Sequence, residues 1–376
     1  MFLLPAKIGP FTLMRRLRAN GVSEAFAGVL TEPPGLQVRV HRLVPSLVRS
    51  EAEMPAIRAR IEDLRRIDHP TLVTVRGVVE EAGDVFVLDN WVEGITLQDV
   101  VDHCRATQTA IPKPIFLTLA AALCSSLEAL HSVTATNSGR HHLLHQALSP
   151  RSVFITPDNQ VVLGEYGLIR SPTLLPLGGA TSPVMPRMEY LAPEQTYPDR
   201  PLGPETDLFA LGALLYEMLT LTPLFKARSN LQTIHAIRRA EVSAQLLRVK
   251  ELLPGLDKVL YRALALNGRH RYQRAMVLRE DIRALMAGYS FADVQQQMTD
   301  FLTPFRADED DDLILPNSSY TGTPAPAVPK SSLPPTPFVP PADVDDAPTD
   351  VAFALEDDKA ASALPVGGAP ASDTGP

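Results

Sequence analysis

The chain has 376 residues, of which 45% are hydrophobic. This length and composition allow two domains, or one large two-lobed domain with a tail. The sequence contains no run of about 18 uncharged apolar residues, so we expect no transmembrane helix. The N-terminal apolar stretch is also too short for a secretory signal. The two cysteines, Cys104 and Cys124, provide no disulfide framework and no metal-binding cluster. These features predict a cytoplasmic protein with no membrane partner.

The formal net charge of −8 is concentrated at the C-terminal end. Residues 304–376 carry 13 acids and 3 bases, a net charge of −10, so the other 303 residues carry about +2. A nearly neutral body has no basic footprint, and we therefore expect no nucleic-acid partner. The same segment holds 14 of the 35 prolines and few large apolar residues. It cannot bury enough surface to offset its ordering entropy, so we predict a disordered tail.

In chain order, the body begins with strand patterns and continues with helical ones. Residues 35–44 and 84–92 are β-branched and partly alternating, which is typical of strands. Between them, Ile57, Ile61 and Leu64 recur at helical spacing among charged residues, which predicts an amphipathic helix. Longer apolar helices are predicted at 115–133, 206–221 and 256–266. A strand-rich part followed by a helical part indicates an α+β fold.

Seven short motifs follow one another along this body. They are DHPTLV (68–73), NWVEG (90–94), LLHQALSPRSVFIT (143–156), VVLGEYGLIR (161–170), YLAPEQ (190–195), DLFALGALLYEML (207–219) and RHRYQRA (269–275). In this order they resemble the motifs of the Hanks-type bacterial Ser/Thr protein kinase family. The resemblance covers residues 8–303 and implies a two-lobed, protein-kinase-like α+β fold. A β-rich N-lobe with one C helix is expected at 1–92, a helical C-lobe at 93–303 and the tail at 304–376.

The positions that hold the scaffold of this family together are retained. The resemblance implies that His145 is a packed core residue, that Gly167 closes the metal-binding triplet and that Asp207 anchors a buried central helix. It also implies an ion pair between Glu194 and Arg271.

The glycine-rich loop that covers the phosphates in the family is not retained. Aligned on LRANGVSEAF (17–26), its three glycines fall on Arg18, Asn20 and Ser23. Their side chains hinder the close approach of backbone amides to phosphate. Asn20-Gly21 instead predicts an ordinary hairpin turn.

The residues that grip the nucleotide in the family have changed too. His41 stands at the position of the family's lysine, and a histidine with an ordinary pKa of about 6.5 is mostly neutral at pH 7. Arg60 stands at the position of the C-helix glutamate that pairs with that lysine. Arg39 replaces a small residue that packs on adenine, and it shares a strand face with His41 because side chains alternate. We expect its guanidinium to fill the adenine slot and to pair with Asp89, just before the hinge.

The catalytic loop and the metal triplet differ at their chemical positions. Ala147 replaces the aspartate that accepts the hydroxyl proton, a role worth about 10²–10⁴ in rate. Ser149 replaces a lysine, and Ser152 replaces the metal-binding asparagine. Glu165 replaces the aspartate of the metal triplet and is the one candidate metal ligand. Arg187 replaces a threonine that shapes the acceptor site.

The resemblance therefore implies a pseudokinase, a binding or regulatory module in Ser/Thr kinase signalling with weak or absent ATP and magnesium binding. Its expected partner is a protein, such as an active kinase or a phosphoprotein-binding domain. One alternative is an atypical active kinase that uses Glu165 as metal ligand. Another is an inert anchor that presents the tail, where Thr323-Pro324 and Thr336-Pro337 could be phosphoacceptors or polyproline ligands.

The charges in the cleft lead to one geometric expectation. An acid at position 165 is costly to bury without a partner, and Arg60 is the nearest cation that the family alignment offers. We expect an Arg60–Glu165 ion pair that holds the C helix inward, and a cleft closed by its own side chains with no metal.

Overall fold

The computed structural model describes residues 3–19, 22–51, 53–137, 141–168 and 187–307. Its N-terminal part is a six-stranded antiparallel sheet with the order β1-β2-β3-β4-β6-β5. The strands are β1 (Ala6–Ile8), β2 (Phe11–Ala19), β3 (Ser23–Leu30), β4 (Gln37–Leu43), β5 (Val75–Glu81) and β6 (Asp84–Asn90). The predicted strands at 35–44 and 84–92 are confirmed as β4 and β6. The predicted turn at Asn20-Gly21 lies outside the described residues.

The two faces of this sheet differ in chemistry because side chains alternate along each strand. Val38 and Val40 of β4 lie in an apolar cluster with Phe86 and Leu88 of β6. The intervening residues of both strands, which include Arg39, His41 and Asp89, therefore lie on the opposite face. One face is a hydrophobic core, and the other faces the cleft with buried charges.

The amphipathic helix predicted between the strands is confirmed as α2 (Met54–Leu64), which follows the short helix α1 (Pro45–Val48). Its apolar stripe, Ile57, Ile61 and Leu64, is 0–1% exposed and belongs to the main core. Burial of each such side chain contributes about 1.5–3 kcal/mol relative to an exposed position. The stripe fixes which face of α2 points inward, and Arg60 is buried on the same side.

The remainder is helical. The helices are α3 (Leu97–Thr107), α4 (Lys113–His131), α5 (Pro204–Thr220), α6 (Asn230–Arg239), α7 (Ser243–Leu252), α8 (Leu256–Ala263), α9 (Ala275–Ala284) and α10 (Phe291–Ala307). Short strands complete this part: β7 (Ile95–Thr96), β8 (Thr134–Ala135), β9 (His141–His142), β10 (Val153–Ile155) and β11 (Val161–Leu163). The three helices predicted from apolar patterns are confirmed as α4, α5 and α8, with bounds that shift by up to three residues. A sheet-rich lobe joined to a helical lobe is the α+β architecture that the sequence predicts.

Helix α4 is long and apolar enough to cross a membrane by length and composition, the one such helix among the described residues. Its most apolar 18-residue window is 61% buried inside the protein. Ile115, Phe116, Leu123 and Leu127 are fully buried against the rest of the helical lobe. This burial is typical of the central helix of a globular domain.

The last described helix extends beyond the predicted domain boundary at 303. Val294, Met298, Leu302 and Phe305 form one buried stripe of α10, spaced by four, four and three residues. Because Phe305 belongs to this stripe, the helix continues past the first residues assigned to the tail. The rest of the predicted tail, residues 308–376, lies outside the described residues.

Candidate catalytic and nucleotide cleft

The positions that would carry kinase chemistry meet at one cavity between the sheet and the helical lobe. The cavity has a volume of about 190 Å³. Strands β2, β3, β4 and β6 contribute residues from above, and the loops at 146–152 and 165–168 contribute residues from below. Arg18, Ser23, His41, Asp89 and Glu165 all line it.

Glu165 lies between two arginines of the sheet. Its Oε1 atom accepts hydrogen bonds from Arg39 at 2.7 Å and from Arg18 at 3.1 Å. Burial raises the pKa of this carboxyl, but the charges of His41, Arg18 and Arg39 outweigh burial and lower it to about 2. Glu165 is therefore ionised at neutral pH and already neutralised by the protein's own cations.

The predicted Arg60–Glu165 ion pair is wrong. The guanidinium of Arg60 donates instead to three backbone carbonyls, those of Gly167, Leu144 at 2.6 Å and His145 at 3.5 Å. Its pKa is lowered to about 10 by burial, against the opposing charges of Asp207 and Asp63, so it remains a cation. Helix α2 packs close enough for Arg60 to reach the backbone of the helical lobe, which ties the helix inward without a carboxylate.

The predicted Arg39–Asp89 ion pair is also wrong. Asp89 is hydrogen-bonded to His41, with 3.0 Å between Nε2 and Oδ2, while Arg39 reaches across the cleft to Glu165. Arg39 and Asp89 are direct cross-strand neighbours, yet the long arginine side chain extends past Asp89 and leaves it to the shorter imidazole. Burial lowers the pKa of His41, but the charge and hydrogen bond of Asp89 outweigh it and raise the pKa. The charged form of His41 is therefore more populated than an ordinary pKa would allow.

The guanidinium of Arg39 lies between the sheet and the hinge. Its central carbon is 4.5 Å from the centroid of the Phe154 ring and 5.6 Å from that of Trp91 in the hinge. The side chain is only 11% exposed. Burial lowers the pKa of Arg39, and the charge of Glu165 opposes this shift. Arg39 is therefore a buried cation with two aromatic rings nearby.

The loop at 145–152 is shaped by a buried aspartate and by its own serines. Asp207 accepts the backbone N–H groups of His145 at 2.7 Å and Gln146 at 2.8 Å. The hydroxyl of Ser152 donates to the carbonyl of Ser149 at 2.9 Å and accepts the N–H of Ser149 at 3.0 Å. Ser152 thus closes a turn of its own loop.

The residues present do not fit the magnesium ion that the kinase family implies. Its ligands are carboxylate and amide oxygens, and the protein must leave them free to face the metal. Here the Oε1 atom of Glu165 is shared by two guanidinium groups, and Ser152 offers a hydroxyl committed to Ser149. Among the described residues, no cluster of three or more His, Cys, Asp or Glu could hold a metal.

His145 packs in the core and is neutral. It is fully buried, and burial is the main cause that lowers its pKa to about 4. Its Nε2 atom lies 3.0 Å from the carbonyl oxygen of Gly164, so Nε2 carries the proton because a carbonyl only accepts. Tyr166 packs 5.3 Å from the imidazole, centroid to centroid, and donates to the carbonyl of Val73 at 3.0 Å.

The scaffold pair of the helical lobe has the geometry that the resemblance implies. Arg271 donates to both oxygens of Glu194, at 2.7 and 2.9 Å. It also donates to the carbonyls of Ala265, Leu266 and Glu205 at 2.7–3.1 Å. Arg271 is 1% exposed, so the backbone carbonyls and Glu194 together replace the water that it gave up.

Sequence reasoning did not find the partners of Glu165. Arg18 was identified only as a residue that replaces a glycine, and Arg151 was not singled out. The carbonyl of Arg151 accepts a hydrogen bond from Arg18 at 3.1 Å, which joins β2 to the loop below it. The available signal was the combination of an arginine in the glycine loop with an acid in the metal triplet.

Comparison with known proteins assigns the family. Residues 43–302 match the protein kinase domain family. The chain belongs to this family, as a Hanks-type bacterial member. The kinase domain of PknI from Mycobacterium tuberculosis superimposes with a TM-score of 0.57 at 19% identity, over 76% of this chain and 100% of that structure. This similarity supports the two-lobed fold.

Curated relatives at the sequence level are also named as kinases. The tyrosine-protein kinase MasK of Myxococcus xanthus is 22% identical over 281 residues, which are 74% of this chain and 43% of that protein. The serine/threonine-protein kinase PknB of Mycobacterium tuberculosis is 27% identical over 270 residues, 68% of this chain and 41% of that protein. The chain thus spans less than half the length of these relatives.

Proposed function

We propose that this kinase-family protein is a pseudokinase, a binding or regulatory module that does not transfer phosphate. The observation that carries the proposal is the neutralisation of Glu165 by Arg39 and Arg18. Phosphoryl transfer requires that metal ions neutralise the phosphate charge, and the carboxylate that would hold them here is bonded to the protein's own cations.

The substitutions around Glu165 support the same proposal. At Ala147 there is a methyl group where proton transfer needs a base, and no side-chain carboxylate can act from that position. His41 is bonded to Asp89 and Ser152 to Ser149, so both side chains are engaged away from a phosphate or a metal. Three chemical positions besides Glu165 have therefore changed, and two of them, His41 and Ser152, are paired within the protein.

Arg39 supports weak or absent ATP binding. Adenine would have to displace a guanidinium that is ion-paired at 2.7 Å and lies 4.5 Å from an aromatic centroid. Displacement would also leave Glu165 with only one of its two arginines. The expected setting is the cytoplasm, and the expected partner is a protein such as an active kinase, with no role for nucleic acid or a membrane.

The test is a thermal-shift titration of the full chain with ATP, with and without magnesium. A ligand at 100 times its dissociation constant stabilises a protein by about 2.7 kcal/mol, which such a titration detects readily. We expect no shift for the wild type, and a shift for Arg39→Ala, which empties the adenine slot. Arg248→Ala, an exposed arginine on α7, is the matched control and should behave as the wild type.

A transfer assay separates this proposal from the atypical active kinase. Labelled phosphate from ATP and magnesium is followed onto the protein itself and onto a general acceptor. Transfer by the wild type that disappears in Glu165→Ala would overturn the proposal, because Glu165 would then be a working metal ligand. Signal that survives Glu165→Ala comes from a contaminating kinase.

A further inference from the structure

Three arginines line the cavity that also contains Ala147, the position at which the family places its proton acceptor. Arg18 comes from β2, Arg151 from the loop that follows Ala147, and Arg187 from the residue that precedes the 3-10 turn Met188–Tyr190. All three line the cavity, together with Ala147. Three separate parts of the chain thus bring positive charge to one wall.

The acids that line the cavity do not balance this charge. Glu165 is shared by Arg39 and Arg18, and Asp89 is bonded to His41. In the described part of the chain, neither Arg151 nor Arg187 forms an ion pair with a carboxylate within 4.0 Å. The Nη1 atom of Arg187 donates to the hydroxyl of Tyr190 at 3.1 Å, which leaves its other N–H groups for a ligand.

The electrostatic environment of Arg151 also indicates excess positive charge at this wall. Burial and then the charges of Arg187 and Arg18 lower its pKa, and these outweigh the charges of Asp102 and Glu165, which raise it. The three guanidinium groups therefore repel one another at this wall. An anion placed among them would relieve the repulsion and accept several charge-assisted hydrogen bonds. The aspartate that the family places at Ala147 would repel such an anion, and its replacement by a methyl group removes that obstacle.

The volume of the cavity limits the kind of ligand that it can hold. The cavity of about 190 Å³ is smaller than the roughly 300–1,000 Å³ of pockets that enclose a whole small molecule. It suits the end of a side chain that enters from the surface. A phosphorylated serine or threonine has this size and offers three acceptor oxygens to the forked donors of arginine.

We propose that this wall, defined by Arg18, Arg151 and Arg187, binds the phosphate of a phosphorylated serine or threonine in a peptide segment. The proposal rests on the proposed function, since a site that holds a phosphorylated residue replaces one that would phosphorylate it. The ligand could be the chain's own Thr323 or Thr336 after modification by another kinase, or a residue of a separate phosphoprotein.

The test measures binding of fluorescent peptides to the full chain in the absence of ATP and magnesium. The peptides are residues 317–329 with Thr323 phosphorylated or unmodified, residues 330–342 with Thr336 in the same two forms, and an unrelated phosphothreonine peptide. We expect a phosphorylated peptide that occupies the site to bind at least about 10-fold more tightly than its unmodified form, because hydrogen bonds to the charged phosphate supply the affinity. A preference for the tail peptides identifies the tail as the source, and equal binding of the unrelated peptide identifies a separate phosphoprotein.

Variants locate the site. Arg151→Ala/Arg187→Ala should weaken binding by about 100-fold, roughly 10-fold for each arginine. Arg151→Lys/Arg187→Lys keeps the positive charge but loses the forked donors of the guanidinium group. Its affinity should therefore lie between those of the wild type and the alanine double variant. Arg239→Ala/Arg248→Ala removes the same charge from exposed helices and should bind as the wild type.

Two results would overturn the proposal: phosphorylated and unmodified peptides that bind alike, or equal losses in the site and control variants. If the alanine double variant does not fold, the lysine variant carries the same test. Because peptide binding is measured without ATP, a negative result does not bear on phosphate transfer. The proposed function is then tested separately by the transfer assay.

Discussion

The Glu194–Arg271 pair in the helical lobe and the Glu165 cluster in the cleft differ in how closely they follow the family pattern. At the first, the family's residues are present and make a bidentate contact at 2.7 and 2.9 Å. At the second, an acid is still present, but its partners are Arg39 and Arg18, neither of which the family places there. The scaffold pair matches the pair that the family resemblance implies, whereas the buried acid in the cleft is neutralised by different residues.

The difference follows from what each charge must do. A buried ion pair that only holds two segments together is destabilised by loss of either partner, so both residues are retained together. The charges of an active cleft are completed by nucleotide and metal, and without them the same carboxylate would be buried unpaired. Arginines from the sheet supply the missing positive charge. Glu165 thereby becomes a structural contact between the two lobes.

The largest effect should come from the scaffold. Arg271→Ala leaves Glu194 and three carbonyls without their donor, and we expect a loss of about 3–5 kcal/mol in the free energy of unfolding. Urea denaturation measures it, with Arg248→Ala as a control that changes little. Arg271→Lys keeps the charge and should be intermediate. If Arg271→Ala lowered the free energy of unfolding by less than Glu165→Gln does, the Glu194–Arg271 pair would not be the stronger of the two structural contacts.

An intermediate effect is expected from the cleft. Glu165→Gln leaves Arg39 and Arg18 without their carboxylate, and we expect a loss of about 1.5–3 kcal/mol at pH 7, the usual contribution of hydrogen bonds to charged groups. In an active kinase the acid serves the metal, so the equivalent change would affect activity more than stability. An unchanged urea midpoint at pH 7 would show that Glu165 does not join the lobes.

The same residue gives a pH dependence with a defined sign. The folded-state pKa of Glu165 is lowered to about 2 from its ordinary 4.5. The contribution to stability is therefore present above pH 4.5 and is lost as the pH falls towards 2. Denaturation curves across this range should show a smaller acid-dependent loss for Glu165→Gln than for the wild type. Parallel curves for the two proteins would be evidence against the ion pairs.

The smallest effect concerns His41. Its pKa is raised in the folded protein, so its pairing with Asp89 stabilises the fold fully below the ordinary pKa of about 6.5 and is lost as the pH rises through the folded value. We expect a decline in the urea midpoint above pH 6.5 that is absent in His41→Asn. Asp89→Asn should remove the same decline. If it persists in both variants, another group is responsible.

The fold and the scaffold pair could be predicted from the amino-acid sequence. The resemblance of the motifs to the kinase family implied which segments become the central helix, the loop at 145–152 and the Glu194–Arg271 contact, because those positions depend on backbone geometry shared across the family. The period of two along β4 was enough to place Arg39 and His41 on one face. That Arg39 fills the space of adenine stays a prediction.

The cations that pair with Glu165 could be identified only from the folded structure. The two arginines that do so are 126 and 147 residues away in the chain, and their choice depends on distances that no local pattern encodes. Arg60 looked suitable because the family has a charged residue there, but α2 packs so closely that its guanidinium reaches the carbonyls of Leu144 and Gly167 instead. Long, flexible charged side chains take whichever acceptor their backbone position allows. From a sequence, one can therefore predict that a buried acid will be neutralised. Which residue neutralises it is much harder to predict.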